Sequence, residues 1–273
     1  MGGKLVGAGD LRRSLRRRDP LSRPAQSATG GQSTGGGGNG ECDPHVLILL
    51  QRTGTMFETP ALENNWWTAV AAALDSDEDD LLDEYAPRLD LSLSTFFVES
   101  DSGMCPDGDT KEGLEPDSLT DFLAEQAADF EAAREAEIKV DGPLPEAIAK
   151  GVEQLGSEGD RYLLVVSTGF PDTCDAADQQ CLAEDALAAA QQAYEQGVKL
   201  RLVYFLDKYA STAYPQGLAN AGDGQGVGAL ELSCGNGFEY SEDPGDAEFG
   251  WAASTTEVKD AIDGMLSAIS TCD

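Results

Sequence analysis

From Val46 onward the chain alternates short apolar runs with longer stretches in which apolar residues recur every three or four positions. VLILLQ (Val46–Gln51), RYLLVVS (Arg161–Ser167) and VKLRLVYF (Val198–Phe205) are nearly continuous apolar runs, the pattern of strands buried on both faces. LDLSLSTFFV (Leu89–Val98) alternates with period two and predicts a strand nearer the sheet edge, and GALEL (Gly228–Leu232) predicts a short last strand. Between them, Trp66, Val70, Ala73 and Leu74 fall at helical spacing, which makes Trp66 and its neighbour Trp67 packing residues. An Ala- and Glu-rich helix is predicted from about Ser118. Gly142-Pro143 interrupts it before a shorter helix over Pro145–Leu155, and a further helix closes at Gly197. Ser254-Thr255-Thr256-Glu257 reads as a capping box opening a last helix that buries Val258, Ile262, Met265, Leu266 and Ile269. Strand–helix alternation of this kind predicts an α/β fold. It would be a three-layer, doubly wound, mostly parallel central sheet of about six strands, with helices on both faces.

Residues 1–41 break this pattern: a basic stretch runs into GGQSTGGGGNGE, so a disordered N-terminal segment is expected there and a folded domain over 42–273. Seven of the 18 Lys and Arg lie in residues 1–24, which leaves residues 25–273 with 11 basic and 48 acidic groups, a net of −37. Such a surface repels nucleic acid and anionic lipid, so neither is expected as a partner of the folded part. The acidic run Asp75–Asp80 lacks the glycine and closing glutamate of an EF-hand loop and is expected to be a solvated helix face or loop. No apolar run is long enough to span a membrane.

Two loops mark the place where a ligand would bind. In an open parallel sheet, ligands sit beyond the carboxyl ends of the strands, where the strand order reverses. Gln51–Met56 (QRTGTM) and Thr168–Asp172 (TGFPD) each put small polar residues and a glycine directly after a buried run. With GPLPEAI between them, VLILLQRTGTM and RYLLVVSTGFPDTC resemble the von Willebrand factor type A domain, in its disulfide-bearing form from exported bacterial proteins. The resemblance covers about Cys42 to Cys272. It implies a metal-ion-dependent adhesion site holding Mg²⁺ or Mn²⁺, with Asp-x-Ser-x-Ser on the first loop, a later Thr, and Asp-Gly after the fourth strand.

The matched positions depart from that pattern. Gln51 stands for the first Asp, Thr53 and Thr55 for the serines, Pro143 for the later Thr, and Thr168 for the second Asp, before Gly169. A divalent ion of this kind is held through one or two carboxylates, and two hydroxyls with an amide offer no formal charge. The expectation is a degenerate site without cofactor; the alternative is Mg²⁺ or Mn²⁺ held by Thr53, Thr55, Asp141 and Asp172. Thr53 and Thr55 are read equally well as turn and helix-cap residues. The candidate ligand-binding positions are Gln51, Arg52, Thr53, Gly54, Thr55, Thr168, Gly169 and Asp172, with Phe57 and Phe170 beside them.

Six cysteines at no zinc-like spacing predict disulfides and an oxidising compartment. Strands running toward the loop-bearing end and helices returning suggest Cys42–Cys272 and Cys174–Cys181, which leaves Cys105–Cys234. Residues 1–20 carry no apolar export signal, so a start upstream is expected, with a periplasmic, cell-surface or extracellular location. GDGQGVG (Gly222–Gly228) follows a helix and precedes a predicted strand, the reverse of a dinucleotide loop. With a single histidine, His45, at the far end of the first strand, a catalytic triad is not expected. The reading is a non-enzymatic, adhesion-type binding module whose partner is another protein or a cell-surface macromolecule. The other function class weighed is a hydrolase with an unrecognised site.

Overall fold

The structure, a computed structural model, describes residues 44–57, 65–75, 80–99, 109–112, 116–136, 140–169, 171, 181–206, 211–230 and 238–271. The chain opens with β1 (His45–Gln51), the single turn α1 (Gly54–Phe57), α2 (Trp66–Leu74) and α3 (Leu81–Tyr85). Then come β2 (Asp90–Phe96), β3 (Val98–Glu99), β4 (Thr110–Glu112), α4 (Pro116–Glu135), β5 (Val140–Asp141) and α5 (Leu144–Gln154). β6 (Arg161–Thr168), α6 (Leu182–Glu195), β7 (Val198–Phe205), α7 (Ala213–Gly222), β8 (Gly250–Ala252) and α8 (Val258–Ser270) complete it.

Six strands form one sheet in the order β4-β2-β1-β6-β7-β8, and β3 pairs with β5 apart from it. β2, β1, β6, β7 and β8 are mutually parallel, and β4 runs antiparallel along β2. The alternation of strand side chains divides the apolar residues into two cores. Val46, Ile48 and Leu50 of β1 face one way with Leu164, Val166 and Phe205, against α2, α3, α4 and α8. Leu47 and Leu49 face the other way with Leu163, Val165, Leu200 and Leu202, against α5, α6 and α7. This is the expected doubly wound layering. Because β2 and β6 flank β1 on opposite sides, the order reverses at β1, and the ends of β1 and β6 form the switch point.

Two local expectations are corrected. Residues 228–230 form no strand; the last strand is Gly250–Ala252. Asn220, buried on α7, ties the intervening loop by donating to the Gly226 and Gly245 carbonyls and accepting from Ala247 N–H, which holds that chain off the sheet. β8 reaches the sheet because Gly250 has no side chain: a Cβ there would sit 2.6 Å from the Ala261 carbonyl oxygen of α8. The capping box is also displaced. A 3-10 turn (Thr255–Glu257) precedes α8, so Glu257 reaches back to the N–H of Ala253 at 2.7 Å, and the Ser254 hydroxyl pairs with Thr256. As expected, β2 lies near the sheet edge, with only the short antiparallel β4 outside it, and Ser94 and Thr95 are buried. Gly197, at φ +76°, stops α6 as predicted. Trp66 and Trp67 are both buried.

Tyr85 joins α3 to α8, its hydroxyl donating to Asp263 Oδ1 at 2.6 Å. Burial, then that hydrogen bond, push its hydroxyl up to about 12 from the ordinary 10.0. A raised folded-state value favours the protonated phenol, so this stabilisation is intact below pH 10 and is lost as the pH climbs through about 12. Urea unfolding at pH 8 and pH 11 is expected to show a smaller alkaline loss for Tyr85→Phe than for the parent. Equal losses would assign the alkaline sensitivity elsewhere.

Candidate functional site

The site is built on the ends of β1 and β6. Gln51, the last residue of β1, is 4 % exposed, and its Oε1 accepts from the Ser167 hydroxyl at 2.7 Å and the Thr168 N–H at 2.8 Å. The side chain that stands for the expected carboxylate is therefore spent on clamping the neighbouring strand. Gly142, before α5, leaves room for it: a Cβ there would lie 2.5 Å from Gln51 Nε2 and 3.2 Å from Thr53 Cγ2. Thr168 turns its hydroxyl to the Phe205 carbonyl at 2.9 Å.

Thr53 is buried and Thr55 exposed, with their hydroxyl oxygens 3.0 Å apart. The Met56 N–H bonds the Thr53 carbonyl at 2.9 Å and closes the turn into α1, so here the backbone closes the turn. Gly169, at φ +73°, adopts a conformation that side chains resist, and a Cβ on it would come 3.9 Å from Thr55 Cγ2. The Tyr204 hydroxyl donates to the Gly169 carbonyl and holds that turn. Burial pushes this phenol well above its ordinary range. Gln51, Thr53, Gly54, Thr55, Thr168 and Gly169 are thus brought to one place, with Gly142 as an unforeseen member.

Arg52 is buried and so is not a surface contact, while Phe57 is half-buried in an aromatic stack. Arg52 is only 2 % exposed and turns toward α4, where its guanidinium lies 3.4 Å over the Phe97 ring and donates to Gln126 Oε1 at 3.1 Å. Asp129 lies 3.8 Å away. Gln126 also accepts from the Thr95 hydroxyl at 2.9 Å and donates to Asp109 Oδ2 at 2.8 Å, which joins α4 to β2 and the start of β4. Phe57 stacks between Phe130 and Trp67, at centroid distances of 4.0 and 5.0 Å. The burial of Arg52 has a simple cause: side chains along β1 alternate between faces, and Arg52, in step with Val46, Ile48 and Leu50, falls on the side that α4 covers. Gln126 gives a sequence signal, since a polar residue shares the inward face with Leu119, Leu123 and Phe130.

Of the alternative metal ligands, Asp172 lies outside the described residues, as does Phe170, and Asp141 is described only by its backbone pairing with Val98. Pro143, at the start of α5, has no ligand atom on its side chain. Among the described residues no three His, Cys, Asp or Glu side chains gather as metal ligands. The Gln51 oxygen already takes two hydrogen bonds, from the Ser167 hydroxyl and the Thr168 N–H. Asp80 caps α3 by accepting from Asp83 N–H, and the rest of the 76–79 run lies outside the described residues. Cys181, at the start of α6, is disulfide-bonded; the other five cysteines, and with them the three expected pairings, lie outside the described residues. No described helix is long and apolar enough to cross a membrane.

No protein-family profile and no curated protein matches the chain. Solved structures do. The pilus adhesin SpaC from Lactobacillus rhamnosus GG is similar over 84 % of this chain and 30 % of its own, with a TM-score of 0.54 and 10 % identity. BatB from Bacteroides thetaiotaomicron is similar over 83 % of this chain and 98 % of its own (TM-score 0.44, 12 % identity). The SpRpn10 VWA domain matches over 66 % and 82 % (TM-score 0.40, 10 % identity). At these identities the likeness speaks for the fold, and together with the strand order it gives a von Willebrand factor A-like α/β domain.

Proposed function

We propose that this domain is a non-enzymatic protein-binding module of an exported protein, which engages its partner through the loops beyond β1 and β6 without a metal ion. Gln51 carries the reading. An amide bonded to Ser167 and Thr168 replaces the anion that a metal-dependent site would need, while Thr55 and Gly169 keep the loop scaffold open to a partner. Charge supports the metal-free form, because an ion stripped of water would meet only neutral oxygens at the matched positions Gln51, Thr53, Thr55 and Thr168. The cysteines support an oxidising location outside the cytoplasm. His45 pairs with Asp90 at 2.8 Å at the opening of β1, at the other end of the strand from the loops.

Two measurements test the reading. The melting temperature is expected to be unchanged by millimolar Mg²⁺ or Mn²⁺; a metal-binding site would raise it by mass action. Capture of a partner from envelope extract is expected to persist in chelator and to fail for Thr55→Arg, which alters an exposed side chain. Capture that needs the metal, or that survives Thr55→Arg, would refute the proposal.

A further inference from the structure

A cavity of about 470 Å³ opens beside the last turn of α6. Its walls include Tyr194 and Glu195 of α6, Gly224 just beyond α7, and Phe238, Glu239 and Tyr240 of the returning loop. Since Glu195 is followed three residues later by Val198, the first residue of β7, the cavity lies toward the end of the sheet opposite the β1 and β6 loops. Its volume is in the ordinary range for small-ligand sites.

The wall chemistry has a sign. Phe238 and Tyr240 meet edge to face with centroids 5.2 Å apart, and both pack half-buried against the core beneath α6. Tyr194 is 41 % exposed and its ring lies across Gly224, where a Cβ would come 2.2 Å from Tyr194 Cε1. Glycine at φ +71° both permits that turn and makes room for the ring. The Tyr240 hydroxyl donates to Glu184 Oε1 at 2.8 Å, and a phenol bonded to a carboxylate is richer in electron density over its ring. Glu195 and Glu239 are exposed at the rim, and no Lys, Arg or His lines the cavity among the described residues. The neighbouring guanidinium of Arg201 is engaged with Asp223 at 2.7 Å, and that of Arg161 with the Gln196 carbonyl. Aromatic faces attract cations through the ring quadrupole. The rim carboxylates and the overall charge of −32 add to that attraction.

We propose that this cavity is a binding site for an organic cation, a quaternary ammonium or the ammonium head of a lysine side chain. Tyr194, Phe238 and Tyr240 supply aromatic faces, and Glu195 and Glu239 supply the charge. The site is independent of the loops beyond β1 and β6, and either can fail without the other.

Calorimetric titration of the full chain with choline chloride, with acetyl-Gly-Lys-Gly-amide, and with 3,3-dimethyl-1-butanol, the neutral carbon isostere of choline, tests it. Saturable binding of a cation is expected, with the isostere about ten-fold weaker. Tyr194→Ala and Glu195→Gln change exposed side chains, so they are expected to leave the melting temperature unchanged while weakening the cation about ten-fold and about three-fold. Tighter binding of choline would indicate a free small molecule; tighter binding of the peptide would indicate a lysine of a partner protein. No saturable binding of either cation, equal affinity for the isostere, or full affinity in Tyr194→Ala would overturn the proposal.

Discussion

An Arg52→Ala chain is expected to unfold about 3–4 kcal/mol more easily than its parent in urea. The loss has three sources. The guanidinium gives up its stack on Phe97 at 3.4 Å, Gln126 Oε1 loses a donor at 3.1 Å, and a volume buried to 2 % exposure is emptied. The ion pair itself contributes little, because Asp129 stands 3.8 Å off with its side chain 58 % exposed and stays hydrated when the arginine goes. Arg52→Met, which refills most of the space without the charge, is therefore expected to recover more than half of the loss. A deficit below about 1 kcal/mol for the alanine variant would show that the network around Gln126 holds α4 without the arginine.

Trp66→Ala is expected to cost a similar amount, about 3–5 kcal/mol, and to lower the melting temperature by about 10 °C. The indole opens α2 and stacks on Phe205 at the end of β7, with centroids 4.7 Å apart and planes 11° from parallel. It therefore links a helix near the start of the domain to a strand late in the chain, and no neighbour can collapse into a void of that size without shifting one or the other. Trp66→Phe keeps the stack and is expected to restore most of the loss, as read by differential scanning calorimetry.

How much of this was legible in the sequence depends on which force sets each element. Runs such as Val46–Leu50 and Leu163–Val166 can hide their side chains only between two helical layers, so the layering and the switch point followed from pattern alone. β8 could not be found that way. Gly-Trp-Ala carries no strand pattern, and its place comes from the fit of Gly250 against the Ala261 carbonyl of α8. The alternation in Gly228–Leu232 misled for the complementary reason, because tertiary bonds from Asn220 govern the loop around it. At the candidate site, the replacement of acid by Gln51 was visible, but not that the amide would bond across to Ser167 and Thr168. Arg52 was misplaced because arginine is ordinarily a surface residue; its burial became readable only through Gln126 on the inner face of α4.

β1 and β6 are the strands from which both candidate loops emerge, and every residue from Val46 to Gln51 and from Tyr162 to Thr168 is buried. A platform gripped on both faces and both flanks leaves the strand ends themselves little freedom to surrender. On the proposed reading, a partner docking there would meet strand ends already fixed by the fold, and ordering them would take nothing from the binding free energy. Such an association would be limited by encounter and orientation, and not by folding of the receptor.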